Sequence, residues 1–268
     1  PIMSASDRAI SIQSVSLYFI PVEMRVPLKF GNQVLDSVTC ARAKVTVKDA
    51  SGKTAVGWGE TPLSVGWVWP SPIDYEERHT AMKDFTVAIA KDLNHCDLSG
   101  HPMEIGSDYS HGGLDTLQAG FNENRSEEAA LPHLAALVCF SLFDIAVHDA
   151  YGNLHGVPTY QTYNAEYMSR DLSSYLEVDS PDVSFAGKYP ADFLDTDPNL
   201  ELAVSILSRN PILPAKSRTT AIPCCSQTGF AATDSTASKS SCAATMPSGI
   251  TSDSSKSEEF HRRKTSPG

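Results

Sequence analysis

The sequence predicts an α+β fold in which antiparallel strands come first and helices follow. This prediction rests on a change of apolar period along the chain. Apolar residues alternate along Ile10–Phe19, with one slip between Ile12 and Val15, and they alternate again along Thr39–Val47. A spacing typical of helices replaces the alternation after Tyr75. Strands grouped before helices favour an α+β unit over a parallel sheet with crossover helices.

The second predicted strand forms a hairpin with a third. Asp49-Ala50-Ser51-Gly52 is a tight-turn sequence, and Ala55–Trp58 returns the chain after it. Pro27–Gly31 lies in the connection before the second strand and is expected to be a loop. Arg170–Leu176 is expected to be another short strand, much later in the chain.

Two helices are predicted from their apolar spacing. Tyr75–Leu93 carries large apolar residues on one face, and Ser71-Pro72 can start it. The strongest helical pattern runs from Ala130 to Tyr151, with Gly152 where a C-terminal cap is expected and Pro158 preventing continuation.

Composition excludes some classes of protein. The formal net charge of -11 and the pI near 5.1 argue against binding to nucleic acid, which needs clustered Lys and Arg. The apolar stretch Ala135–Ala150 contains charged residues that argue against a membrane span. The six cysteines form no CxxC pair. No signal peptide is visible, so a cytoplasmic protein is expected, although the chain begins at Pro1 and a targeting segment stays open.

Glycine-rich and basic segments near the strands are candidate binding elements. Gly57–Pro62 is either the solvated end of a strand or a segment that passes close to a ligand, where glycine permits close backbone approach. Lys29 is either a surface lysine, which is the commoner case, or a group that holds an anionic substrate.

Asp144 and His148 form a candidate pair on the strongest predicted helix. They are four residues apart and therefore share one helical face. A metal site would need further ligands, so a polar stripe on a core helix is the more economical interpretation.

These segments, taken in order, resemble the mandelate racemase/muconate lactonizing family of the enolase superfamily. The opening strand, Pro27–Gly31, the hairpin and Gly57–Thr61 are similar to its N-terminal capping domain. Phe143–Gly152, followed by Gly156-Val157-Pro158, resembles the helix and turn that lead into its β/α barrel. The resemblance covers roughly residues 8 to 204.

The resemblance implies a fold, a cofactor and a substrate class. The chain would hold a capping domain in residues 1–130, the helix and first strand of an incomplete β/α barrel in 131–204, and a tail in 205–268. In this family two cap loops close over the active site, here around Lys29 and Phe30 and around Glu60 and Thr61. A Lys or His removes a proton α to a carboxylate, and Mg²⁺ stabilises the resulting enediolate. The expected partner is a small carboxylate substrate, and a homo-oligomer is possible.

The residues that perform this chemistry in the family have no match in the chain. The base-bearing Lys-x-Lys and three acidic metal ligands belong to barrel strands beyond the first, and one strand cannot close a barrel. Racemase, dehydratase or cycloisomerase activity is therefore expected to be absent. The alternative is a non-catalytic module in which the capping domain binds a partner or oligomerises.

The tail carries a second hypothesis. Residues 217–268 are rich in Ser, Thr, Ala and Lys and are poor in large apolar residues, which predicts disorder. The resemblance stops abruptly near Val204, which suggests a frameshift. Shifting the frame across Ala237–Lys256 permits an apolar strand that ends in Lys-x-Lys and is followed by a helical pattern.

We predict that resequencing the DNA across codons 195 to 268 and beyond will find a single-base correction near codon 204. The corrected frame should stay open and encode Lys-x-Lys and three later acidic strand ends. Confirmation of the printed frame, with stop codons in the alternative frame, would contradict the hypothesis and favour the binding module.

Overall fold

A long antiparallel ribbon opens the fold. The computed structural model describes residues 4–30, 33–180 and 182–195, and all of them fall in one compact unit. Strands β1 (Ile10–Phe30), β2 (Gln33–Asp49) and β3 (Thr54–Pro62) follow one another and pair antiparallel. With the short β4 (Ser99–Gly100), the sheet order is β3-β2-β1-β4. Strands followed by helices are the predicted arrangement, and this part of the prediction is confirmed.

The slip in the first strand is a register shift. Ile12 pairs with Val47 and Ser14 pairs with Thr46, so Gln13 is an extra residue on β1. A bulge of this kind keeps Val15 and Leu17 on the buried face after the slip. The apolar pattern had therefore located the irregularity correctly.

The prediction of a loop at Pro27–Gly31 is wrong for its described part. Leu28 pairs with Leu35 and Lys29 with Val34, so β1 continues to Phe30. A second register shift separates Glu23 from Leu28. Pro27 lies inside that shift, where its missing N–H removes no hydrogen bond from the ladder. The strand can therefore tolerate a proline that would disrupt regular pairing.

Helix α2 (Tyr75–Leu93) has the predicted bounds. It follows the short helix α1 (Val65–Val68), and it starts after Asp74 rather than at Ser71-Pro72. The Asp74 carboxylate accepts a hydrogen bond from the Glu76 N–H at 2.9 Å, which satisfies one of the free donors of the first turn. Its apolar face is buried, as the helical spacing predicted.

Helix α5 (His133–His155) begins three residues later and ends four residues later than the predicted helix. It follows α3 (Pro102–Asp108), a π-helical turn at Tyr109–Leu114 and α4 (Asp115–Asn122). The C-terminal cap is Gly156, whose φ of 71° is the left-handed conformation that glycine adopts without strain, and not Gly152. Gly152 lies within the helix, where an added Cβ would approach the Thr159 hydroxyl to 2.9 Å.

The expected strand at Arg170–Leu176 is not formed. Leu172–Ser174 is instead a short 3₁₀ turn. The Asp171 carboxylate accepts from the Ser173 N–H at 3.0 Å, and this local bond competes with pairing in a sheet. The first barrel strand is therefore absent from this segment, and residues 205–268 lie outside the described residues.

Helix α5 packs on β3 with almost no space between their backbones. A Cβ added to Gly57 would lie 2.2 Å from the Ala146 carbonyl oxygen and 2.2 Å from the Ala150 nitrogen. A Cβ added to Gly59 would lie 2.0 Å from the Leu142 oxygen. The buried apolar residues around these contacts belong to one core cluster, which contains residues of both the strands and the helices.

The same helix satisfies a length and composition test for a membrane span. Among the described residues, Glu127–His155 is long and apolar enough to cross a bilayer, and half of its most apolar window is buried. A helix at the centre of a protein core passes this test as well, and α5 contributes the buried Phe143, Ala146 and Tyr151 to that core.

We predict that Gly57→Ala lowers the free energy of unfolding by about 1–3 kcal/mol or more, since the new methyl group must displace the backbone of α5. Gly120→Ala is the matched control. Gly120 lies in α4 with nothing within 4 Å of an added Cβ, so this change should be neutral or stabilise by up to about 1 kcal/mol. Urea unfolding measures both, and identical midpoints for Gly57→Ala and the unmodified protein would refute the close contact.

Candidate functional site

Glu60, one of the expected cap residues, already has a partner. It lies opposite Arg42 across the β2–β3 ladder, and its Oε2 accepts from the Arg42 Nε at 2.6 Å. Both side chains are largely exposed. Glu60 also affects Cys40, whose pKa is raised first by burial and then by the Glu60 charge. A ligand that binds Glu60 must therefore compete with a guanidinium group.

Thr61 points toward helix α5. Its Oγ1 lies 2.7 Å from the Oγ of Ser141. Because Ser141 donates its own proton to the Val138 carbonyl at 2.9 Å, Thr61 must be the donor in this pair. Thr61 thereby ties the end of β3 to the helix.

Lys29 and Phe30 lie at the far end of the ribbon. Lys29 is exposed and pairs with Val34, while Thr61 pairs with Ala41. Val34 and Ala41 are seven positions apart on β2, which is a distance along the strand of roughly 23 Å. The strand register thus sets the two expected cap segments well apart along β2, and their joint role stays a prediction.

Gly57 and Gly59 serve the core in this structure. The sequence left open whether glycine permits close approach to a ligand here. The atoms that approach are the backbone of α5, as described above. The N–H of Trp58, between the two glycines, donates to the Asp149 carboxylate at 2.8 Å. The two segments that carry the family resemblance therefore contact each other directly.

A cavity of about 640 Å³ lies on another face of α5. Ser141, Asp144 and His148 come from the helix, and Tyr160, Tyr163 and Tyr175 come from the segment that follows it. The Asp144 carboxylate lies against Gly106, where a Cβ would meet Oδ1 at 2.4 Å. Helix α3 therefore approaches this carboxylate closely because residue 106 has no side chain.

Asp144 and His148 interact along the helix as their spacing predicted. The His148 Nδ1 donates to the Asp144 carbonyl oxygen at 2.9 Å and lies 3.7 Å from its Oδ1. Burial raises the pKa of Asp144, and the charge of His148 opposes that rise. The polar stripe is real, and it faces the cavity.

His101 is a buried neutral base beside this cavity. Its Nδ1 accepts from the Met103 N–H at 3.2 Å, and its Nε2 lies 3.0 Å from the Thr162 Oγ1. Thr162 gives its proton to the Thr159 carbonyl, so His101 donates through Nε2. Burial, followed by the charges of His148 and His155, lowers the pKa of His101 from 6.5 to about 3.

A magnesium site is not assembled in the part of the chain that the structure describes. No group of three or more His, Cys, Asp or Glu side chains there has the geometry to hold a metal ion. Asp144 and His148 remain a pair without a third ligand. The described residues therefore do not fit the Mg²⁺ that the family resemblance implies.

Comparisons with known proteins find structural likeness only. No family model matches the chain, and no curated protein matches it. The L-talarate/galactarate dehydratase of Salmonella typhimurium LT2 is 20% identical with a TM-score of 0.35, and the match covers 60% of this chain and 35% of that one. An enolase from Bradyrhizobium, complexed with magnesium and mandelic acid, is 17% identical with a TM-score of 0.31 over 57% of this chain and 34% of that one.

A third match names the family that the motifs resemble. It is a mandelate racemase/muconate lactonizing enzyme-like protein from Rubrobacter xylanophilus. It is 16% identical with a TM-score of 0.33, over 57% of this chain and 33% of that one. The chain thus spans about a third of the length of these proteins. Likenesses at this level do not by themselves assign an activity to it.

Sequence reasoning missed the aromatic wall of the cavity. Tyr160 and Tyr163 are three residues apart in a short 3₁₀ turn, and Tyr175 comes from a segment that was expected to be a strand. In the sequence, only the polar stripe of Asp144 and His148 on α5 indicated this site. Its partners across the cavity depend on how the chain turns back after Gly156.

We predict that the free energy of unfolding falls as the pH is lowered from 6.5 to 4.5, by up to about 1.4 kcal/mol per pH unit from His101 alone. The unfolded chain protonates this histidine below about pH 6.5, whereas the folded state keeps it neutral. The unfolded state therefore binds more protons, and acid favours it.

Urea unfolding of His101→Asn at several pH values tests this prediction. Asn can still cap α3, and it does not titrate. The variant should show a shallower pH dependence, whatever its stability at pH 7. His155, whose pKa is also lowered by burial, contributes equally to both proteins. Equal slopes for the two proteins would show that His101 is not held neutral.

Proposed function

We propose that residues 1–130 are the capping domain, and residues 131–204 the start of an incomplete barrel, of a Mg²⁺-dependent enolase-superfamily enzyme that acts on a small carboxylate, and that this chain lacks the catalytic part. The intact enzyme would be a racemase, dehydratase or cycloisomerase. Its cap loops around Lys29 and Phe30 and around Glu60 and Thr61 would contact the substrate. The incomplete barrel and a frameshifted tail after residue 204 belong to the same proposal.

One observation carries the family assignment. The strand Gly57–Thr61 and the helix segment Phe143–Gly152 are two parts of the resemblance, and they lie about 90 residues apart in sequence. The structure joins them through two glycine contacts and the Trp58–Asp149 hydrogen bond. This direct contact supports the view that the two segments belong to one structural unit.

The proposed lack of catalysis is supported by the described residues, which assemble no metal site. Lys29 is exposed at the end of a strand, and the Glu60 carboxylate is engaged by Arg42. These contacts favour a role in touching the substrate over a role as the base that takes a proton from carbon.

A second candidate function is a non-catalytic module that associates with other chains. Leu134, Leu137 and Ile145 are large apolar residues of α5 that stay exposed. Their side chains lie along the same helix that contributes to the core. Exposed apolar surface of this kind favours association between proteins.

We predict that the full chain does not catalyse Mg²⁺-dependent exchange of the α-proton of galactarate or mandelate in D₂O, measured by NMR. The product of a gene corrected near codon 204 should catalyse the exchange of at least one carboxylate of this class. Calorimetry should find tight Mg²⁺ binding by the corrected protein and none by the printed chain.

Different outcomes separate the two candidates. Mg²⁺-dependent exchange by the printed chain would show that its catalytic residues are present. A corrected protein that folds but neither binds Mg²⁺ nor exchanges the proton would contradict the enzyme assignment. Sedimentation velocity on the printed chain then tests the module, which requires a defined oligomer and not a monomer.

A further inference from the structure

The cavity beside α5 contains a carboxylate that has no lysine or arginine partner among the described residues. The side chain of Asp144 is only 36% exposed. Among the described residues its oxygens accept no hydrogen bond, and no lysine or arginine lines the cavity. Carboxylates that are partly buried are normally paired, because removal from water disfavours their charge.

His148 is only a weak partner for the Asp144 carboxylate, although its charge opposes the rise in the pKa of Asp144. Its Nδ1 proton is directed to the Asp144 backbone carbonyl at 2.9 Å, while Oδ1 is 3.7 Å away. Arg170, which lies outside the cavity and 5.9 Å from the centroid of the Tyr175 ring, makes two hydrogen bonds to Asp108 at 2.8 and 2.6 Å. Burial accordingly raises the pKa of Asp144. A cation placed in the cavity would reverse this cost.

The walls of the cavity are aromatic. Phe140, Tyr160, Tyr163 and Tyr175 all line it, and the rings of Tyr160 and Tyr163 pack edge to face with centroids 5.8 Å apart. The negative face of an aromatic ring attracts ammonium groups, and the attraction is stronger where water is displaced. A wall of this kind also suits an apolar or aromatic body.

One polar atom in the wall is also unused. The hydroxyl of Tyr175 is shielded from solvent and has no hydrogen-bond partner among the described residues. An unpaired buried hydroxyl costs free energy. Because water does not reach this hydroxyl, a ligand in the cavity must contact the Tyr175 ring and not its oxygen.

We propose that this cavity binds an organic ammonium ion with an aromatic or apolar body, and that Asp144 is the counterion of its ammonium group. The size is suitable, since a volume of about 640 Å³ lies within the range of small-molecule sites. The ligand has the opposite charge to the carboxylate substrate of the proposed enzyme. The site is formed entirely by described residues and does not depend on the barrel.

Calorimetry on the full chain with three matched probes tests the proposal. 2-Phenylethylammonium, 2-phenylethanol and phenylacetate share an aromatic body and differ in charge. The ammonium probe should bind, and the neutral and anionic probes should bind at least about tenfold more weakly. Asp144→Asn keeps the shape of the side chain and should weaken binding of the ammonium probe about tenfold or more.

Control variants separate binding from folding. Asp115→Asn removes an exposed carboxylate on α4 that does not line the cavity, so binding should be unchanged. Tyr163→Phe should retain most of the affinity because the ring remains, while Tyr163→Leu should lose part of it. Circular dichroism confirms that each variant is folded.

Three results would overturn the proposal. They are equal binding of all three probes, no binding of the ammonium probe by the folded chain, and unchanged affinity in Asp144→Asn. Preferential binding of phenylacetate would also overturn it, and would instead support a carboxylate site in this part of the chain. Failure of the α-proton exchange assay has no bearing on these measurements, because no barrel residue takes part in them.

Discussion

The fold depends on the contact between β3 and helix α5, in which two backbones meet without intervening side chains. Gly57 and Gly59 leave no room for even one methyl group against Leu142, Ala146 and Ala150. So close an approach lets the Trp58 N–H reach the Asp149 carboxylate. One free N–H of the edge strand is thereby satisfied by a helix side chain. Everything else in the described core packs around this joint.

Because of this contact, two faces of α5 lie in different environments, one against β3 and one facing the cavity. The face formed by Leu142, Ala146 and Ala150, which are four residues apart, packs against the strand. This contact sets the rotation of the helix about its axis. That rotation directs Asp144 and His148 away from the sheet and into the cavity. The direction in which this polar stripe faces thus depends on glycines some ninety residues earlier in the chain. The candidate binding site and the core are consequently coupled through one rigid element.

Periodicity predicted the elements that are long and regular, and local chemistry explains where it failed. The bulge at Gln13, the bounds of α2 and the existence of α5 follow from apolar spacing within a single segment. The end of α5 depends on which of two glycines adopts a left-handed conformation, and both are chemically suited. The 3₁₀ turn at Leu172 depends on a hydrogen bond from the Ser173 N–H to the Asp171 carboxylate, which alternation does not reveal. For the glycines of β3 the sequence left open whether they end a solvated strand or approach a ligand, and only the three-dimensional structure shows that they approach α5. The aromatic wall of the cavity brings together residues with no shared period, so no sequence pattern marked it.

The contact between β3 and α5 also affects the order in which parts of the fold can form during synthesis. The three strands leave the ribosome early, yet the helix that covers them is complete only when His155 has been made. Until then the part of the sheet that α5 covers has no partner and is open to premature association or to chaperones, although α2 can already pack on β1. Once α5 has docked, every residue of the described core cluster is in place, since that cluster runs from Ile10 to Leu154. The core cluster is therefore complete before any residue after Leu154 is translated, while Leu134, Leu137 and Ile145 of α5 stay exposed.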